Sequence, residues 1–74
     1  MKVYDKELQR LNMIGYRSSK GFTQDDVAKK LKVSRDTVNR WENDCDRVNI
    51  ATLIKLGELY GCSVADFFTP FSAT

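Results

Sequence analysis

The chain has 74 residues, enough for one domain at the small end of what folds alone. Twelve basic and ten acidic residues give a net charge of +2, so nucleic-acid binding would depend on where the charges lie and not on their total. No apolar run approaches the roughly 20 residues of a membrane-spanning helix and no signal peptide is visible, so we expect a cytosolic protein.

The chain contains two cysteines and no histidine, which weighs against metal and catalytic chemistry. A structural zinc site needs four ligands at paired spacing, so we expect no metal and no other cofactor. Without a Gly-rich phosphate loop or a nucleophile beside a base, an enzyme is also not expected. Cys62 has apolar neighbours and is expected in the core. Cys45 lies in a polar loop and is expected to be an exposed thiol.

A first helix is predicted over residues 5–19. Its apolar positions include Leu8, Leu11 and Tyr16, although the stripe that they form is blurred. Gly21 follows closely and is suited to end the helix in a left-handed conformation.

The segment Thr23–Asn43 predicts two short helices separated only by Lys32 and Val33. Thr23 can cap the first helix, and Asp26 is placed to reach back and complete the cap. Ser34 can cap the second helix in the same way. The apolar residues of the two helices recur at helical spacing: Val27, Ala28, Leu31, Val38 and Trp41.

The second of these helices presents a polar face. With Val38 and Trp41 turned to the core, the residues left outside or partly outside are Ser34, Arg35, Asp36, Thr37, Asn39 and Arg40. A projecting helix with such side chains is what enters a DNA major groove. Basic residues are also concentrated nearby, at Lys29, Lys30, Lys32, Arg35 and Arg40. The alternative is an ordinary helical hairpin with a solvated polar face.

Two further helices are predicted after a polar loop. Asn49 can cap a fourth helix over residues 50–60, and Gly61 can end it. The apolar stripe of the fourth helix is wide enough for a buried helix: Ile50, Leu53, Leu56 and Tyr60, with Ile54 and Leu59 alongside. Ser63 can cap a short fifth helix over residues 64–68, which ends before Pro70.

Three aromatic residues lie close together near the end of the chain, namely Phe67, Phe68 and Phe71. One of them can fill the core, but so small a domain cannot easily bury all three. An exposed apolar patch is therefore expected. The alternative is that the aromatic rings fold back on their own subunit.

The ordered set of residues resembles the Cro/C1 repressor-like family of helix-turn-helix regulators, also called XRE-type. The resemblance covers residues 11–69 and rests on Thr23, Gln24, Val27, Ala28, Leu31, Val33–Arg35, Val38, Trp41–Asn43, Ile50, Thr52, Leu53, Lys55, Leu56, Gly61, Ser63 and Phe67. It implies an all-α, compact five-helix, lambda-repressor-like domain over residues 1–74, with the helix-turn-helix at about 23–43 and a tail at 69–74. It also places Met13 and Tyr16 on the core side.

The chain departs from the family pattern at three places, and one of them is Val48, where a Pro often precedes the next helix. Lys32 stands where the family usually has Gly, so a left-handed backbone there would cost about 1 kcal/mol. Asp44 and Asp46 stand where Gly and a basic residue are usual, which disfavours a strong phosphate contact from this loop.

The resemblance also implies residue roles. Base-contacting residues would be Ser34, Arg35, Asp36 and Arg40. Residues contacting the DNA backbone or bracing the helices would be Thr23, Gln24, Thr37, Asn39, Asn43, Lys32 and Arg47. Arg17 and Glu42 would form a structural ion pair, and Phe67, Phe68 and Phe71 are candidates for a dimer interface.

The resemblance therefore predicts a sequence-specific DNA-binding transcriptional regulator of a bacterial or phage cytoplasm. It would be a homodimeric repressor on a near-palindromic operator, with the helix at residues 34–43 in the major groove. Its control would come from its concentration, from a regulatory protein partner or from the occupancy of overlapping sites. The alternative, from another functional class, is an antitoxin-like or other protein-binding module with the same fold.

Overall fold

Residues 4–70, which the computed structural model describes, form helices joined by short turns and contain no β-strand. The α-helices are α1 (Lys6–Ser19), α2 (Gln24–Leu31), α3 (Arg35–Asn43) and α4 (Ile50–Tyr60). Two 3-10 helices cover Cys45–Arg47 and Val64–Phe68. None of these helices has both the length and the apolar character that a membrane crossing requires. The predicted all-α helix-turn-helix fold is confirmed, although the fifth helix is of the 3-10 type and the turn at Cys45–Arg47 was not predicted.

Residues with short polar side chains cap the starts of the helices, and all of these caps except Asp5 stand at positions that the sequence predicts. The Thr23 hydroxyl accepts the Asp26 backbone N–H at 3.1 Å, while the Asp26 carboxylate accepts the Thr23 N–H at 2.8 Å. These hydrogen bonds satisfy N–H groups that the first turn of a helix leaves open. Ser63 makes the same reciprocal cap with Asp66 on the second 3-10 helix. The side chains of Asp5 on α1, Ser34 on α3 and Asn49 on α4 each accept a backbone N–H without the return hydrogen bond.

The turn between α2 and α3 depends on a left-handed residue at Lys32. Lys32 has φ 58° and ψ 45°, and it is the one residue other than glycine with positive φ within residues 4–70. This conformation lets the Val33 N–H donate to the Ala28 carbonyl at 2.9 Å, which closes the end of α2. The position that departs from the family pattern thus keeps the backbone geometry for which glycine is better suited.

The core lies where the helices converge, and its buried apolar members are Met13, Val27, Ala28, Val38, Cys45, Leu53, Leu56, Tyr60 and Phe67.

Gly57 brings α4 close to the segment that follows it. A Cβ atom added at Gly57 would lie 2.6 Å from the Cys62 carbonyl oxygen, a distance too short for real atoms. Any side chain at this position would therefore push the end of α4 away from the following turn.

The buried face of α1 differs from the predicted stripe. Leu11 is 54% exposed, whereas Gln9, Asn12 and Met13 are buried. The Gln9 side-chain amide donates to the Cys45 carbonyl at 3.0 Å, and the Asn12 amide donates to the Phe67 and Thr69 carbonyls at 3.0 and 2.7 Å. These polar side chains can be buried because they satisfy backbone carbonyls that arrive from elsewhere in the chain.

The buried face of α4 is also narrower than predicted. Leu53, Leu56 and Tyr60 are buried, but Ile50 and Ile54 are 61% and 47% exposed. The two isoleucines lie one helical turn apart and project away from the side of α4 that meets the core.

The expectation that Cys45 is an exposed thiol was wrong, whereas Cys62 does pack against the core as expected. Cys45 is buried and its thiol donates to the Lys6 carbonyl at 3.4 Å, while Cys62 is only partly buried. The 3-10 turn after α3 directs the Cys45 side chain inward and leaves its charged neighbours outside. Burial raises the pKa of both thiols.

Phe67 is the terminal aromatic residue that fills the core. Its side chain is fully buried, and its ring packs edge-on against Tyr16 and Tyr60, with centroid distances of 6.0 and 6.4 Å. This burial removes Phe67 from the predicted dimer-interface candidates, because no partner can reach its side chain. Phe68 is 41% exposed, and Phe71 lies outside the described residues.

Candidate nucleic-acid interface

α3 has one buried side and one open side. Val38 and Glu42 are buried and Trp41 is partly buried against the core. Arg35, Asp36, Asn39, Arg40 and Asn43 are exposed on the remaining surface of the helix, and Thr37 is partly buried. The predicted polar face is thus accessible to a partner over the whole length of α3.

A buried ion pair fixes α3 to α1. Arg17 Nε lies 2.7 Å from Glu42 Oε2, and Arg17 Nη2 donates to Glu42 Oε1 at 3.3 Å. The two side chains are only 14% and 5% exposed. Arg17 Nη1 also donates to the Phe22 carbonyl at 2.9 Å, so one guanidinium holds α3 and the turn before α2 together.

Gln24, at the start of α2, braces α3 through its side chain. Gln24 Nε2 donates to Glu42 Oε1 at 2.9 Å and to Asn39 Oδ1 at 3.3 Å. The hydrogen bonds therefore run from α1 and α2 into α3. They set the rotation of α3, and with it the direction in which the exposed side chains project.

The four base-contacting candidates are not equally available. The Ser34 hydroxyl caps α3 by accepting the Thr37 N–H at 3.2 Å, and it lies 2.9 Å from the Thr37 hydroxyl. Arg35 Nε is 4.0 Å from Asp25 Oδ1, and both side chains are more than half exposed, so this pair restrains Arg35 only weakly. Asp36 and Arg40 are exposed and form no ion pair within the described part of the chain.

The candidates for backbone contacts surround this face of α3. Asn43, Lys32 and Arg47 are exposed, whereas the Thr23 hydroxyl is already engaged in the cap of α2. The hydrogen bonds of Thr23 hold the pKa of the Asp26 carboxyl below its usual value, since they favour the charged form.

Lys6, which the sequence pattern does not single out, changes the electrostatics of the acidic loop. Its ammonium nitrogen lies 3.2 Å from an Asp46 carboxylate oxygen and 4.0 Å from one of Asp44. Lys6, in the first turn of α1, thus places a positive charge beside the loop of Asp44 and Asp46, which lacks the basic residue usual in the family. The spacing of about forty residues between these positions offers no sequence signal for this contact.

The comparison with known families agrees with this geometry. The helix-turn-helix family model matches residues 16–67, which include the ion pair, both helices of the motif, α4 and the buried Phe67. The chain has no match among curated proteins or among solved structures. With more than half of its length matched, the chain belongs to the Cro/C1-type helix-turn-helix family of DNA-binding regulators.

Proposed function

We propose that the protein is a sequence-specific repressor that inserts α3 into the major groove of double-stranded DNA. The observation that carries this proposal is the exposed polar face of α3, held in one orientation by the buried Arg17–Glu42 pair. Each base pair presents a distinct pattern of donors and acceptors in the major groove, and a rigidly held helix can match such a pattern.

In this proposal Arg35 and Arg40 read guanine through paired hydrogen bonds to O6 and N7. Both side chains are exposed, and Arg40 has no ion-pair partner within residues 4–70 to compete with DNA. Asp36 can only accept, so it would select a cytosine amino group or orient a neighbouring arginine. Ser34 would touch DNA at the start of α3 while its hydroxyl continues to cap the helix.

Phosphate contacts would come from the rim of the same face. Asn43, Lys32 and Arg47 are the exposed candidates, and the start of α2 at Thr23 and Gln24 offers a further approach to the backbone. Thr37 and Asn39 complete the set of residues assigned to backbone contact or bracing. Such contacts would set the affinity and the register of the protein on the duplex, whereas α3 would set the sequence preference.

We further propose that the repressor acts as a homodimer in a bacterial or phage-infected cytoplasm. One domain of this size covers few base pairs, and a two-fold dimer doubles the footprint on a near-palindromic operator. The exposed aromatic ring of Phe68 supports an interface near the end of the chain, where Tyr4 lies beside it with a centroid distance of 6.3 Å. Phe71 remains a candidate for the same interface.

A second candidate function is an antitoxin-like or other protein-binding module. The acidic residues on and beside α3 favour this alternative, since Asp36, Asp44 and Asp46 are all exposed and would repel phosphate. A regulatory protein with a basic surface could bind there.

Selection of bound duplexes from a random pool, with the particle mass measured in solution, tests the proposal. We expect an enriched site of two related half-sites and a mass twice the 8.5 kDa of one chain. Affinity should fall steeply with salt, because each phosphate contact contributes about −0.9 to the slope of log K against log salt. No enriched site, together with a stoichiometric protein complex, would favour the second candidate.

A further inference from the structure

The amide of Asn39 has its orientation set by a one-way chain of hydrogen bonds. We infer that Asn39 therefore presents its Nδ2 group outward from α3 and donates a hydrogen bond to an acceptor on the bound duplex. This inference rests on the proposed function. It assigns Asn39 a specific chemical role in place of a general position at the rim of the interface.

The chain of hydrogen bonds begins at a group that can only accept. Glu42 is a buried carboxylate engaged by the Arg17 guanidinium through both of its oxygens. The Gln24 atom that lies 2.9 Å from Glu42 Oε1 must therefore be a donor, which is Nε2. The opposite orientation of the Gln24 amide would place its carbonyl oxygen against the carboxylate and lose a charge-assisted hydrogen bond.

The same nitrogen determines the orientation of the next side chain. Gln24 Nε2 carries two hydrogens, and its second contact is Asn39 Oδ1 at 3.3 Å. Asn39 must accept this hydrogen bond with its oxygen, so its Nδ2 group is left on the other side of the amide. Within residues 4–70 no contact engages Asn39 Nδ2, and the residue is exposed.

The position of Asn39 on α3 gives this donor a place in the interface. Arg35, Asn39 and Asn43 follow one another at intervals of four residues, so they form one line along the surface of the helix. Asn39 thus lies between a proposed base-reading residue and a proposed phosphate contact. Its acceptor on DNA is either a phosphate oxygen or an acceptor at a base edge, such as guanine O6 or N7.

Equilibrium binding to the duplex that the wild-type protein selects tests this inference. Asn39→Ala removes the amide, and Asn39→Leu replaces it with an apolar side chain of similar size. Both variants should bind roughly three- to tenfold more weakly than the wild type, as expected for the loss of one hydrogen bond. Ala65→Ser, at an exposed position in the second 3-10 helix, is the control and should bind like the wild type.

A third variant tests the direction of the amide. Asn39→Asp keeps an oxygen toward Gln24 but replaces the outward donor with an acceptor, so it should bind more weakly than Asn39→Ala. Binding of Asn39→Asp at the wild-type level would overturn the inferred orientation. Thermal melts of the variants should stay within a few degrees of the wild type, because Asn39 is exposed and contributes little to the core.

The half-site sequences on which the variant loses DNA affinity identify the type of acceptor. If Asn39 contacts a phosphate, Asn39→Ala weakens binding equally on all variants of the half-site. Replacing that phosphate with a neutral methylphosphonate then weakens DNA binding by the wild-type protein but not by Asn39→Ala. If Asn39 contacts a base, the variant loses its preference at one base pair. Either pattern supports the inference.

Two outcomes separate the failure of this inference from the failure of the proposed function. Wild-type binding by both Asn39→Ala and Asn39→Leu, beside weakened Arg35→Ala and Arg40→Ala, would overturn the inference alone. A wild-type protein without salt-dependent duplex binding would overturn the proposed function and this inference with it.

Discussion

Arg17 and Glu42 are twenty-five residues apart in the chain, yet their side chains meet at 2.7 Å in a site where Glu42 is only 5% exposed. This ion pair joins α1 to α3 before any partner is present. The orientation of the polar face of α3 is consequently a property of the folded chain.

Arg17→Ala should lower the free energy of unfolding by about 3 kcal/mol, because it leaves the Glu42 carboxylate buried and unpaired. Chemical denaturation monitored by circular dichroism measures this change. Arg10→Ala is the matched control, since Arg10 also pairs with a carboxylate, that of Glu7 at 2.7 Å, but at an exposed site. The control should lose less than about 1 kcal/mol. Similar small losses in both variants would mean that the buried pair does not stabilise the fold.

Two glycines in helices should respond in opposite directions to alanine. Gly57→Ala should destabilise the protein by about 1–3 kcal/mol, because the new Cβ would lie 2.6 Å from the Cys62 carbonyl oxygen. Gly15→Ala meets nothing within 4 Å and should stabilise the protein by about 0.5–1 kcal/mol through helix propensity. Thermal melts of both variants check the contrast, and a stabilised Gly57→Ala would contradict the close approach of α4 to the turn after it.

Lys32→Gly should stabilise the protein by roughly 0.5–1 kcal/mol, because Lys32 has φ 58° and glycine adopts this conformation without a Cβ clash. Lys29→Gly is the control within α2, where glycine should instead cost about 1 kcal/mol. Both are measured by the shift of the denaturation midpoint. If Lys32→Gly destabilises the protein as much as Lys29→Gly, the turn is not left-handed in solution.

The two thiols should react with a disulfide reagent at different rates. Cys62 is partly buried and should react first, whereas Cys45 is buried and should react only on the timescale of opening or unfolding. Burial raises the pKa of both thiols, so both should react faster as the pH rises and the thiolate forms. Mass spectrometry of partially labelled protein gives the order. Faster labelling at Cys45 would mean that the turn after α3 is open.

Arg35→Ala and Arg40→Ala should each weaken binding to the selected duplex by about 1–3 kcal/mol and relax its sequence preference at one position. Lys32→Gln, which tests a proposed phosphate contact, should weaken binding by a similar factor on every sequence and reduce the salt slope by about 1. Fluorescence anisotropy titrations at several salt concentrations measure both effects. Unchanged binding by both arginine variants would remove them from base recognition.

Features that depend on neighbours three or four residues away could be predicted from the sequence alone. Thr23, Ser34 and Asn49 were predicted to begin helices, and each accepts a backbone N–H three residues further on. The polar face of α3 was predicted in the same way, because the spacing of Val38 and Trp41 decides which side of that helix turns inward. Such contacts form within one turn of helix and need no other part of the chain.

Which residues of α1 and of the later segments are buried depends on how the folded segments meet. Gln9 and Asn12 are buried because distant carbonyls accept their amide hydrogens, and those carbonyls belong to Cys45 and to the segment at 66–69. Phe67, and not Phe68, entered the core because the 3-10 helix turns that ring toward Tyr16 and Tyr60. Burial is a property of the pair of surfaces that meet, so the periodicity of a single helix cannot specify it.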